Sequence, residues 1–96
     1  MRVRFTSAAE TELADALDWY RANAPREAPR FLDEFEVLAR RLADNPRQFP
    51  SVMDKVRRAG FRRYPYGLFF VIGSDEVQVF ACFHASRDPH RWQERS

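Results

Sequence analysis

The feature that most constrains this chain is a change of hydrophobic period partway along it. From Ser7 to Asn45 the apolar residues recur at helical spacing, whereas from Lys55 to His84 they follow strand-like alternation. A chain of 96 residues can build one core. The two halves must therefore cover each other, helices against sheet.

Ser7, with Glu10 three positions on, has the spacing of a helix N-cap and capping box. Leu13, Ala16, Leu17, Tyr20 and Ala24 then form one apolar stripe, which Ala9 extends backward. Pro25 disfavours a helical residue before it and ends the helix. A second helix follows within a few residues, with Pro29 tolerated in its first turn. Its stripe is Ala28, Phe31, Leu32, Phe35, Leu38, Ala39 and Leu42, and Asn45-Pro46 stops it. So short a link predicts an antiparallel helical hairpin.

Before this hairpin, Arg2–Phe5 reads as a short strand; after it, residues 45–54 read as a loop anchored by Phe49. Lys55–Ala59 reads as a strand with a bulge or bend at Gly60, followed by strands Tyr66–Ile72 and Val77–His84. Gly73-Ser74-Asp75 makes the hairpin between the last two. The expected fold over residues 1–96 is α+β in one domain: an N-terminal strand, a two-helix antiparallel hairpin, then an antiparallel three-strand meander with the helices packed on one face. Alternation along the last strand sends Val77, Val79, Ala81 and Phe83 toward the helices, and Gln78, Phe80, Cys82 and His84 to the open face.

The composition excludes several classes. Cys82 has no partner for a disulfide, which suits a reducing cytoplasm. No apolar run approaches the roughly 20 residues of a membrane span, and the basic start lacks the apolar stretch of a signal peptide. His84 and His90 lack the spacing and thiol partners of a zinc site, and no glycine-rich phosphate loop is present, so neither metal nor cofactor is expected.

The net charge is only +2, yet Lys55 to Arg63 holds five cations and no anion. Such a stripe attracts phosphates, although its plain alternative is a solvated surface. Lys55, Arg57, Arg58, Arg62, Arg63, His84 and Arg87 are expected on the open side of the sheet or around its rim; strand alternation puts Arg57 and Arg58 on opposite faces without saying which faces outward, and the bend at Gly60 leaves the phase of Arg62 and Arg63 open. Guanidinium forks match phosphate oxygens, and an imidazole moves protons near neutral pH. Together they could cleave RNA through its own 2′-hydroxyl without a metal. The plain alternative for His84 is a strand-end histidine bonded to a loop.

Several stretches taken in order resemble the ParE/RelE toxin superfamily: Val3-Arg4-Phe5 with Ala8 and Ala9, Trp19-Tyr20, Asn45-Pro46 with Phe49-Pro50, Val56-Arg57-Arg58, Arg63-Tyr64-Pro65-Tyr66, and His84 to Pro89 with Trp92 and Arg95. The likeness runs nearly end to end and is closer to ParE. It implies the toxin of a type II toxin–antitoxin module (a plasmid-stabilization type of pair), held in a hetero-oligomer by its antitoxin, with no membrane partner. An antitoxin segment would fold into the helical groove against Leu13, Leu17, Tyr20, Phe31 and Phe35, with acidic residues over the Lys55–Arg63 stripe.

ParE-like members inhibit DNA gyrase, and RelE-like members cut ribosome-bound mRNA. The Tyr-Pro-Tyr and Ser-Arg-Asp-Pro stretches look more like ParE. For an mRNA endonuclease, His84, Arg87, Arg63 and Arg57 would be catalytic. However, Gly67 stands where such members carry a basic residue, and no tyrosine follows Tyr66. A third alternative is a non-toxic relative that only binds the antitoxin.

Overall fold

The computed structural model describes residues 1–86. Strand β1 (Arg2–Phe5) leads into helices α1 (Ser7–Asn23) and α2 (Ala28–Asp44). A 3-10 turn (Pro46–Gln48) and strands β2 (Ser51–Met53), β3 (Val56–Gly60), β4 (Tyr66–Ile72) and β5 (Glu76–His84) follow. The helices lie on one face of a five-stranded sheet of order β1-β5-β4-β3-β2. The expected α+β architecture is therefore present, with two additions. β1 runs parallel to β5, Val3 beside Val77, and the expected loop at 45–54 contains the edge strand β2. Asp54, in left-handed backbone, turns β2 into β3.

The N-cap of α1 is Thr6 and not Ser7. Thr6 Oγ1 accepts from the Ala9 N–H at 3.2 Å, while its own N–H donates to the Val79 carbonyl of β5. The residue that ends the β1–β5 ladder thus starts the helix, a choice made by tertiary pairing. The helix α2 opens with Pro29 in its first turn, as expected.

Against the helices, Leu68, Phe70, Val77, Val79 and Cys82 of the sheet meet Ala9, Ala16, Tyr20, Phe31, Leu38 and Leu42. Phe31 is fully buried at the centre, stacked on Phe61 with ring centroids 4.8 Å apart and edge-on to Tyr64 and Tyr66.

Strict alternation fails in β5. Phe69 pairs with Ala81 but Phe70 pairs with Val79, so β5 carries one extra residue, Phe80, opposite that step. Beyond this bulge the phase inverts. Val77 and Val79 face the helices as expected, but Ala81 and Phe83 turn to the other face, and Cys82 joins the helix-side core. Gly60 is not the bulge: it ends β3 in regular register opposite Gly67. The face away from the helices bears its own buried cluster of Val56, Phe69, Phe80, Ala81 and Phe83, in which no helix residue takes part.

Candidate functional site

Between α1 and α2 lies a groove of about 350 Å³, floored by Phe5 and Phe31 and walled by Leu13, Leu17, Leu32 and Phe35. The two helical stripes create it: both are apolar beyond what the sheet covers, so their outer members remain at the seam. Leu32 is exposed, and Leu13, Leu17 and Phe35 are half-buried. Of the five residues expected to meet a partner segment, Leu13, Leu17, Phe31 and Phe35 line this groove. Tyr20 does not; it is packed in the core against Phe31, Tyr64 and Tyr66. Burial raises the pKa of its phenol, with Tyr66 and Glu27 adding to the effect.

The cations of the Lys55–Arg63 stripe do not gather on one face. Lys55 is exposed in the β2–β3 turn. Arg57 points to the helix side, where its Nη1 donates to the Phe49 carbonyl at 2.6 Å and the Arg47 carbonyl at 3.3 Å, pinning the loop before β2. Arg58 points the opposite way, over the Phe69 ring. Arg62 and Arg63 are exposed in the β3–β4 loop. Arg58, and not Arg57, is thus the member of the pair on the helix-free face. Strand alternation divides Arg57 from Arg58, and a loop outside the sheet carries the next pair.

Acids that sequence reasoning passed over tie that loop to α2. The Glu34 carboxylate accepts from the backbone N–H of Arg62 and, at 3.3 Å, of Arg63. Tyr64 donates its hydroxyl to Glu27 at 2.8 Å, and Glu27 also meets Arg30 at 3.6 Å. Burial, followed by this bond and the Glu27 charge, pushes the Tyr64 phenol up to about 12. In the sequence, Glu34 carries only the signal of an i,i+4 partner for Arg30, a local pattern that does not report a bond to a loop 28 residues away.

His84 also departs from expectation. Because the bulge inverts the phase of β5, His84 stands on the helix side, opposite Tyr66 in the ladder and edge-on to its ring at 5.2 Å. It lines a hollow of about 170 Å³ with Glu12, Asp15, Trp19 and Cys82. Its Nδ1 accepts from the Ser86 N–H at 3.0 Å and lies 2.7 Å from the Ser86 hydroxyl, so the neutral ring carries its proton on Nε2. Among the described residues the hollow holds two carboxylates and no arginine. This is the loop-bonded, strand-end histidine of the plain alternative. Arg87 and Trp92 lie outside the described residues. Among the described residues no cluster of His, Cys, Asp or Glu could hold a metal ion, and no helix is long and apolar enough to cross a membrane.

A two-helix hairpin on one face of a mixed five-stranded sheet, with an apolar seam between the helices, places the chain among small α+β proteins. The family described as ParE toxin of the type II toxin–antitoxin system parDE matches residues 3–89, and the chain belongs to it. Among solved structures, a chain of the chromosomal ParDE toxin–antitoxin system from P. aeruginosa superposes with a TM-score of 0.77 at 21% identity, covering 90% of this chain and 97% of that one. No curated protein matches.

Proposed function

We propose that this chain is a growth-arresting toxin that works in the cytoplasm by binding DNA gyrase, and that its antitoxin neutralises it by laying an apolar helical segment into the α1–α2 groove. Family membership supports the toxin–antitoxin part. The single observation that carries the partner site is the seam of Leu13, Leu17, Leu32 and Phe35, an apolar groove between the two helices. Acidic residues of the same partner would meet the cations outside the groove.

Binding is favoured over RNA cleavage because, among the described residues, the groups cleavage needs do not converge. Arg57 is committed to two carbonyls, Arg58 is on the other face, and His84 stands beside Glu12 and Asp15. A phosphorane needs converging cations and a proton donor. Purified protein is expected to inhibit supercoiling by gyrase or accumulate its cleavage complex, and to leave a translated reporter mRNA uncut. Full supercoiling with no cleavage complex rejects the gyrase reading, and codon-dependent cuts lost in His84→Ala would establish the RNase instead. Unimpaired growth on inducing the folded chain alone would identify a non-toxic antitoxin binder.

A further inference from the structure

On the helix-free face of the sheet, Val56, Phe69, Phe80, Ala81 and Phe83 are all buried, Ala81 and Phe83 to 0% and 3% exposure. These residues come from β3, β4 and β5 alone, with Val71 of β4 packed against them, and among the described residues no helix or loop residue belongs to the cluster. Phe69 and Phe83 lean together, with ring centroids 5.7 Å apart. Arg58 occupies a seat left on the same face by Gly60 and Gly67, which sit opposite each other on β3 and β4. A Cβ built on Gly67 would stand 2.5 Å from Arg58 Nε, and Arg58 Cζ lies 6.0 Å from the centre of the Phe69 ring.

Neighbouring strands shield the flanks of side chains that rise from a sheet, but not their tops. Burial of phenylalanines on a sheet face calls for a second layer over it. The burial is also graded along β5. Near its start Glu76 and Gln78 are half-buried on this face, and Arg2 and Arg4 of the adjoining β1 are exposed. Past the bulge, Ala81 and Phe83 are buried. The covered end is the one from which the chain continues, since β5 closes at His84 and the described residues at Ser86.

We infer that the helix-free face is the docking surface for the chain's own residues 87–96, and that Trp92 packs there on Phe69 and Phe83. Reach allows it. The segment spans up to about 33 Å if extended or about 15 Å if helical, whereas the crossing from β5 over β4 to β3 is about 10 Å. Composition selects it. Trp92 is the one large apolar side chain in an otherwise mostly polar segment, and a ring of that size buries roughly 150–250 Å². A segment of the same chain is held at high effective concentration, whereas a separate protein that dissociates returns the phenylalanines to water. The family match ends at residue 89, so Trp92 stands beyond it. Docked there, the segment is on the side of the sheet opposite the α1–α2 groove, and a partner helix in that groove leaves it in place.

The test follows the Trp92 indole in the full chain. Trp19 is 54% exposed, and Trp19→Phe leaves Trp92 as the sole tryptophan. In that variant the emission is expected to be blue-shifted, with acrylamide quenching severalfold weaker than for a tryptophan amide in the same buffer. Phe69→Leu or Phe83→Leu in the same background is expected to shift the emission to the red and strengthen quenching. Leu13→Ala, in the helical groove, is expected to change neither. Should circular dichroism show the sheet-face variants unfolded, nuclear Overhauser contacts in the Trp19→Phe chain, from the Trp92 indole to the Phe69 or Phe83 ring, give the same reading.

A Trp92 with solvent-like emission and free quenching overturns the inference. An indole that responds to Leu13→Ala and not to the sheet-face variants also overturns it, placing the segment in the groove instead. Protection that disappears on dilution overturns it as well, because the cover is then a second copy of the chain.

Discussion

The two faces of the sheet are both apolar, yet they are built for different purposes, and the adjacent residues Arg57 and Arg58 mark the difference. On the helix side, Arg57 satisfies two loop carbonyls and becomes part of the scaffold. On the other side, Arg58 rests on glycine and Phe69 with no acid among the described residues. One arginine of β3 is thus held by loop carbonyls, and the other by packing on the strands. A run of like charges in a strand is therefore not a single patch: alternation assigns its members to separate surfaces and separate tasks.

The comparison is broken most forcefully at the helix-side core. Phe31→Ala removes a fully buried ring that Phe61, Tyr64 and Tyr66 contact, and is expected to cost about 3–5 kcal/mol in urea unfolding. If Phe83→Ala on the other face costs as much, the faces are equivalent as cores and the distinction fails.

The arginine pair gives the next largest effect. Arg57→Ala leaves the Phe49 and Arg47 carbonyls without their donor, and should destabilise by about 1–3 kcal/mol. Arg58→Ala removes packing on Gly60, Gly67 and Phe69 but no hydrogen bond or ion pair seen among the described residues, and is expected to cost less than Arg57→Ala. Equal losses from the two variants would erase the contrast.

The smallest effect concerns the loop tied to α2. Tyr64→Phe deletes the bond to Glu27 and is expected to cost about 1 kcal/mol at neutral pH. The Tyr64 phenol is raised from 10.0 to about 12 in the folded chain. Between those values the native state holds a proton that the unfolded state has released, so the stability this group contributes is complete below pH 10.0 and is lost as pH rises toward about 12. Denaturation midpoints across that window should fall less steeply in Tyr64→Phe than in the wild type. The residual slope belongs in part to Tyr20, whose pKa is raised as well.

Much of the architecture was legible before any coordinates. The apolar stripes of α1 and α2, Pro25 between them and Gly73-Ser74-Asp75 between β4 and β5 are local signals, and each appears where those signals put it. Four of the five residues expected to meet a partner segment line the groove for the same reason, because a helical stripe wider than its sheet contact must leave apolar members at the seam. Tyr20 lies in the core and not at the seam, and its position on the stripe does not tell which end of the hairpin the β3–β4 loop will cover. The Gly60–Gly67 seat did leave a trace: in a hairpin turning through residues 61–66, those two glycines are symmetric about the turn and so face each other. Without the phase of Arg58, nothing connected them to a guanidinium.

From residue order alone came the helical hairpin, the antiparallel strands after it, the absence of a disulfide and the family likeness, because periodicity and turn chemistry act over a few neighbouring residues. Tertiary structure alone decided the parallel β1–β5 pairing, the N-cap at Thr6, the Phe80 bulge and the sides taken by His84, Arg57 and Arg58. Each of these is a matter of register between segments distant in sequence, and one inserted residue in a ladder reverses every side chain beyond it.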